Sequence, residues 1–421
     1  MHASVIQSFF RSVVFTHFYL LFFRKYGINI LVTFLEDEMK KRFVAALLTV
    51  LLLLSASSCA SYRDVPNDVG KNEYPVEDYR TTMRYYEDFK ILQLTDLHFG
   101  IETDIAKQLD IVKNAIRVEA PDLVVLTGDN FMYATKGVVK SLISTLNSEC
   151  ALLTAERDRL SKFTMTYGNH DNQGDYARYY INKIMASYTA EDGNEIAEGK
   201  YAAFVDYADD NLFGLTNFYI DLVDDRAKGL DTVDVKYRLH IIDSNSYHFV
   251  GPDYDYDVIH SDQLAHARRI YEEATLDKDY IGMAFFHIPL YEYQEAYEQF
   301  LSAEDPSLVG QGEWREDALC GYENNGSYSA LRQANIVAYF SGHDHINYGD
   351  FIYHASEDVS LRAIFSYGVK GTNQLYHDED MIGYKTVTLR DITLAEFLSA
   401  QNIHDNFKNF TEGYESYENN R

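Results

Sequence analysis

From Lys90 onward, short and wholly apolar runs alternate with amphipathic stretches. KILQLT, DLVVLT (122–127) and KFTMTY (162–167) each read as a buried strand. After the first of them, Ile105, Leu109, Val112 and Ile116 recur at helical spacing; VVKSLISTLNSE reads as a second helix and YARYYINKIMASY as a third. Such alternation predicts a mainly parallel sheet covered on both faces. The second half is richer in strands, with NFYIDL, KYRLHIID, YIGMAFF, IVAYFS, LRAIFSY and KTVTLRDI, and one further helix in DQLAHARRIYEEATL. A single large α/β domain over 90–396 is the expected organisation, followed by a polar tail, 397–421. The stretch 303–330, which holds Trp314, reads as a long loop and a candidate lid.

The first 60 residues follow another pattern. Lys40, Lys41 and Arg42 precede the apolar run FVAALLTVLLLL, and small residues follow up to Cys59. A basic stretch, a short apolar core and a small-residue site make a secretory signal. A run of a dozen residues falls short of the roughly 20 needed to span a bilayer. SASSC resembles a bacterial lipobox, which implies acylation of Cys59, although Ala56 stands where Leu is commoner. The expected division is therefore an upstream over-read at 1–38, a lipoprotein-type signal at 39–59 starting from Met39, and a polar tether at 60–89. It implies an exported protein held at the cell envelope by a lipid anchor in the membrane.

Charge narrows the choice of partner. The formal net charge is −28, and from Cys59 onward 31 Lys/Arg face 62 Asp/Glu. Phosphate-backbone binding needs clustered Lys/Arg, so a nucleic-acid partner, and with it a nuclease, is disfavoured. A small anionic substrate stays open, because a bound cation inverts the local field. Three Cys without a CxxC exclude a disulfide scaffold, and Cys150 and Cys320 read as independent thiols.

The candidate chemistry sits where strands end. ILQLT runs into Asp96-Leu97-His98, LVVLT into Gly128-Asp129-Asn130, and FTMTY into Gly168-Asn169-His170-Asp171. GMAFF runs into His287, and IVAYFS into Gly342-His343-Asp344-His345. Ligands of open α/β sheets bind at the carboxyl ends of strands, so five clusters could converge on one point. His, Asp and Asn donors suit borderline divalent ions such as Fe, Mn and Zn. Seven candidate ligands exceed what one ion needs, and two ions sharing a carboxylate would use them all. If the segments stay extended, Asp96 with His98, and His343 with His345, would point the same way. Each motif alone is weak; five in this order, each after a strand, are not. His240, His248, His260 and His266 lie outside the motifs; His240 alternates within a strand and reads as structural, while His248 could reach the site mouth.

Together, DxH…GDN…GNHD…H…GHDH resembles the calcineurin-like metallophosphoesterase superfamily, and TDLHFG, LTGDN, FFHIPL and SGHDHIN resemble its purple-acid-phosphatase-like branch. The resemblance covers about 90–396. It implies a four-layer α/β/β/α sandwich of two mixed sheets flanked by helices, carrying a dinuclear metal centre that activates water for in-line attack on a small phosphoester, most simply a monoester; phosphodiesterase or nucleotidase activity on the same site, and a non-catalytic lipoprotein that binds metal or a partner, are the alternatives. By resemblance, Asp96, His98 and His345 bind the first metal, Asp129 bridges, and Asn169, His287 and His343 bind the second. His170 would instead contact the substrate phosphate and assist the leaving group, with Asp171 orienting it. The metal-bound Tyr of purple acid phosphatases has no counterpart: Met132 occupies its position and Tyr133 lies one residue later.

Overall fold

The computed structural model describes residues 74–411 apart from 101–103, 175–177, 191–198, 207–211, 225–233, 251–252, 275–278 and 355–361. Residues 1–38, the signal at 39–59 with Cys59, and the last ten residues of the tail lie outside the described residues.

In chain order the opening half runs β1 (Arg80–Arg84), β2 (Phe89–Leu94), α1 (Ile105–Glu119), β3 (Leu123–Thr127), α2 (Lys136–Arg157), β4 (Lys162–Thr166) and α3 (Arg178–Ser187). Then follow β5 (Asn217–Asp224), β6 (Asp234–Ile242), β7 (Tyr247–Val250), β8 (Asp253–Tyr256), α4 (Ser261–Glu273), β9 (Ile281–Phe285) and α5 (Glu292–Ser302). The chain continues through β10 (Gly310–Trp314), α6 (Ser327–Gln333), β11 (Ile336–Ser341), β12 (Asn347–His354), β13 (Arg362–Tyr367) and β14 (Tyr384–Leu389). It closes with α7 (Leu394–Phe397), α8 (Ala400–Asn406) and β15 (Phe407–Phe410).

The strands form two mixed sheets rather than one parallel sheet. The smaller has the order β15-β14-β2-β3-β4 and the larger β1-β5-β6-β9-β11-β13-β12-β10. Pairing is parallel in β2-β3-β4, in β6-β9-β11-β13 and between β1 and β5. β14 joins β2 antiparallel, and hairpin-like neighbours complete the larger sheet.

Residues of the central strands alternate between two cores, which explains why they read as unbroken apolar runs. In β9 and its end, Met283 and Phe285 face the smaller sheet, while Ala284 and Phe286 pack with Tyr293 of α5 and Leu264 of α4. On the far side of the smaller sheet, Val112 and Ile116 of α1 and Leu142 and Leu146 of α2 close the first core. The layers are therefore helix, sheet, sheet, helix.

Three expected boundaries and loops need correction. The end of the expected tether is folded: β1 pairs parallel with β5, and Met83 and Tyr85 are buried. The alternation in RTTMRY is real, with Thr81, Met83 and Tyr85 buried, but a Thr at a buried position hides it from a hydropathy reading. The tail is likewise folded as far as residue 411. β15 pairs antiparallel with β14, and Ile403 and Phe407 are fully buried. Lastly, the proposed lid contains β10 and α6, and Trp314 is packed in the outer core, stacked on Tyr297 at 4.4 Å. Cys150 and Cys320 are free thiols, as expected.

A buried polar clamp ties the two sheets together. Lys385 of β14 donates from Nζ to Asp350 Oδ1 of β12 and to Ser366 Oγ of β13, each at 2.6 Å, with all three residues fully buried. Removing one partner of such a pair strands the other charge. Asp350→Ala is expected to lower the unfolding free energy by about 3–5 kcal/mol, read from the urea midpoint, whereas Asp350→Leu with Lys385→Met loses far less. Equal losses in the two variants would assign the cost to packing instead of charge.

Candidate metal centre

The five strand ends do meet, at one end of the two sheets. β2, β3 and β4 deliver Asp96, Asp129 and Asn169; β9 and β11 deliver His287, His343 and His345. All are buried. Three trios hold ligand atoms within 4.8 Å of one another: Asp96 with His98 and His345, Asp129 with His287 and His343, and His98 with Asp129 and His170.

Asp129 stands between the groups. Its Oδ2 lies 3.2 Å from His98 Nε2 and 3.3 Å from His287 Nε2. Asp96 Oδ1 lies 3.5 Å from His345 Nε2 and 4.0 Å from His287 Nε2. The outward faces of the imidazoles are tied to the frame: His287 Nδ1 donates to Thr127 O at 2.9 Å, and His345 Nδ1 to Tyr376 O at 2.9 Å. These bonds leave both Nε2 atoms turned inward, as ligating histidines require.

The convergence does not come from extended segments, as the alternation argument supposed. Asp96, His98, Asp129 and His343 all have left-handed backbone, with φ of +55°, +49°, +48° and +94°. Non-glycine residues adopt this region rarely, at a cost of order 1–3 kcal/mol each, and such strain clusters at functional sites. Backbone bonds hold the turns in place: Asp96 N–H donates to Gly128 O at 3.1 Å, and His98 N–H to Asp129 O at 2.8 Å. Glycine is needed where these turns crowd. A Cβ on Gly168 would lie 2.3 Å from Asp129 Oδ1, and one on Gly342 would lie 1.9 Å from Thr95 Oγ1 and 2.6 Å from Asp96 Oδ2.

Burial opposes charge throughout the site, yet both carboxylates stay ionised. Burial alone would raise Asp96 and Asp129, but His345 and His287 beside Asp96, and His287 and His170 around Asp129, hold both well below the usual carboxylate range. His287 answers in kind: against burial, the Asp129 carboxylate pushes it up to about 10. His98 is pushed down to about 4 by burial and by Lys370, and His343 to about 3 by burial and by His287. In this form one imidazolium offsets part of a two-carboxylate charge.

His170 stands at the rim, with Nε2 3.9 Å from Asp129 Oδ2. Asp171 does not orient its ring. That carboxylate instead accepts from Gly168 N–H and Phe131 N–H, both at 2.8 Å, and pins the base of the loop. Gln173 takes the orienting role, its Oε1 lying 2.9 Å from His170 Nδ1 while its Nε2 donates to Tyr247 Oη at 3.3 Å.

Other residues of the site escaped the sequence reading. Lys370 is buried, with Nζ 3.3 Å from Asp96 O and 3.4 Å from His98 Nδ1, and burial lowers it to about 8. It follows a sixth strand end, β13 running into Gly368-Val369-Lys370, which carries no metal donor to draw notice. Tyr247 receives a bond from Asn169 Nδ2 at 2.8 Å. Its neighbour His248 points elsewhere, stacked on Tyr322 at 3.9 Å. His240 and His266 are buried outside the site. Tyr133 is 63% exposed.

The model of the calcineurin-like phosphoesterase family matches residues 89–347. The chain belongs to that family, a class of phosphoester hydrolases. A relative in Saccharomyces cerevisiae, phosphatase DCR2, is 27% identical over 277 residues, covering 62% of this chain and 44% of the yeast protein. An Arabidopsis thaliana relative, named "Probable inactive purple acid phosphatase 29", is 26% identical, covering 62% of this chain and 67% of its own length. Among solved structures, a dimetal phosphatase from Danio rerio gives a TM-score of 0.41 at 12% identity, covering 73% of this chain and 94% of that one.

The charge pattern has a measurable consequence. Between pH 6.5 and about 10, His287 in the ion-free protein retains a proton that free imidazole would have lost. A ligating imidazole must be deprotonated, so uptake of a divalent ion at pH 8 is expected to release a proton. Isothermal titration in buffers of different ionisation enthalpy reads this as a buffer-dependent heat; a heat independent of buffer would contradict it. The same proton stabilises the ion-free fold fully below pH 6.5, and that contribution is lost as pH rises toward about 10.

Proposed function

We propose that this protein is a two-metal phosphomonoesterase of the purple-acid-phosphatase-like kind, without the tyrosinate ligand. One observation carries the reading. Asp96 Oδ1, His98 Nε2, Asn169 Oδ1 and His343 Nε2 are buried and carry no hydrogen bond among the described residues. All four belong to the expected ligand set, and buried polar atoms without partners are rare unless something else satisfies them. The donor set of imidazole, carboxylate and amide oxygen suits Fe, Mn or Zn.

In this reading Asp96, His98 and His345 hold one ion and Asn169, His287 and His343 the other, with Asp129 shared. Two bound cations supply Lewis acidity, acidifying water and offsetting phosphoryl charge. The chain's own residues do the rest. Gln173 donates its amide N–H to Tyr247, so its oxygen faces His170 and fixes Nδ1 as the protonated atom. His170 Nε2 then faces the substrate, and from the imidazolium form, protonated at both nitrogens, it can hand its Nε2 proton to the departing alkoxide and stay neutral with its proton on Nδ1. The monoester preference draws support from the relatives named as phosphatases. The signal and Cys59 support export and lipid anchoring at the cell envelope. The relatives named inactive favour one competing reading, a protein that binds metal or a partner without turnover.

The full chain, stripped with chelator and reloaded separately with Mn, Fe and Zn, provides the test. Turnover of 4-nitrophenyl phosphate above that of its bis-ester is expected. Asp129→Ala should lose nearly all activity with metal supplied. His170→Ala should keep its metal by elemental analysis and slow by about 10²–10⁴-fold, the usual contribution of a positioned acid. Metal uptake with no turnover by the wild type would favour the competing reading, and loss of both ions from His170→Ala would make that residue a ligand.

A further inference from the structure

The hairpin β7–β8 belongs to neither large sheet. Its register pairs Tyr247 with Tyr256 and Phe249 with Tyr254. Opposed residues share a face of a two-stranded ribbon, so all four aromatic rings lie on one side. The rings form a continuous cluster. Tyr247 and Tyr256 are 5.8 Å apart, Tyr247 and Tyr254 5.2 Å, and Phe249 and Tyr254 6.1 Å between centroids. His248, on the opposite side, stacks on Tyr322 and moors the hairpin.

This cluster starts at the metal centre and runs away from it. At the inner end, Tyr247 Oη accepts from Asn169, and the ring of Tyr256 meets that of His343 at 4.2 Å, nearly perpendicular. At the outer end, Phe249 is 59% exposed and Tyr254 66%. An isolated two-stranded hairpin is marginal in water, and its two charges, Asp253 and Asp255, lie on the other face, opposite Val250 and His248. Two large rings held open to solvent, in line with a candidate ligand set, call for an occupant. The strand rise places Phe249 about 7 Å beyond Tyr247, so a ring stacked on it is set off from the centre by a spacer.

We propose that this face is a stacking platform for a planar ring in the leaving group of the phosphoester, a ring separated from phosphorus by a spacer of sugar length, as in a nucleoside monophosphate. The proposal rests on the phosphoesterase reading and adds the substrate class to it. Stacking on Phe249 and Tyr254 is tolerant of ring identity, because every base presents a π face. The protein's strong acidity is no obstacle, since the ring is neutral and the phosphate meets the cations.

Phe249→Ala with Tyr254→Ala, in the full metal-reloaded chain, separates the alternatives. Both side chains are exposed, so the variant is expected to fold and to keep its metal content. The KM for adenosine 5′-monophosphate should rise about tenfold, and the ratio of its kcat/KM to that of glycerol phosphate should fall by the same factor. Binding of adenosine 5′-monophosphate by isothermal titration should weaken in parallel, without reference to turnover. Phenyl phosphate, whose ring lies too close to phosphorus, should respond much less. Phe249→Trp with Tyr254→Phe should retain the preference. An unchanged ratio with unchanged binding would overturn the platform while leaving the phosphoesterase standing, as would equal losses on all three esters. Ring-dependent binding by a wild type that turns over nothing would do the reverse.

Discussion

Two buried carboxylates a few ångströms apart set the terms for the rest of this molecule. Asp96 and Asp129 are each 1% exposed and lie on adjacent strand ends. Burying one unpaired charge is costly, and burying two of like sign is costlier still. Everything packed around them offsets that charge. Backbone N–H groups of His170 and His343 donate to Asp129 Oδ1 and Asp96 Oδ2 at 2.8 and 3.0 Å. His287 lies within ion-pair distance of both. The left-handed turns and the glycines that give way beside them are the backbone's contribution to the same requirement.

How much of this was legible follows from what each signal consists of. The inner strands could be read because parallel strands buried on both faces leave unbroken apolar runs, as LVVLT and IVAYFS do. The ligand set could be read because each donor follows such a run within four residues. What escaped was structure whose chemistry lies in pairing. β1 looked polar because Arg80, Arg84 and the two Thr between them mask a half-buried strand whose alternation only Met83 betrays. β15 needs β14 beside it to be a strand at all. Lys370 and Gln173 escaped for another reason: neither is a metal donor, and their places beside His98 and His170 depend on loops that only the folded sheets bring together.

In this acidic chain the candidate centre gathers inward-turned imidazoles and a buried Lys around two carboxylates at six strand ends. Local field and global charge are thus separate properties. The hairpin β7–β8 sits between them, with its inner rings on Asn169 and His343 and its outer rings in water.

β2, which carries Asp96 and His98, lies between β3 and β14, with Gln93 opposite Lys385. Its second neighbour is therefore made nearly 300 residues later. During synthesis that flank of β2 stays bare until β14 has been made, and contacts of such sequence separation form slowly. Any fragment ending before residue 384 keeps an unpaired, apolar strand edge, a ready template for self-association. The candidate metal centre thus waits on β14 for its frame, and a product cut short of it is more prone to clump than to assemble the site.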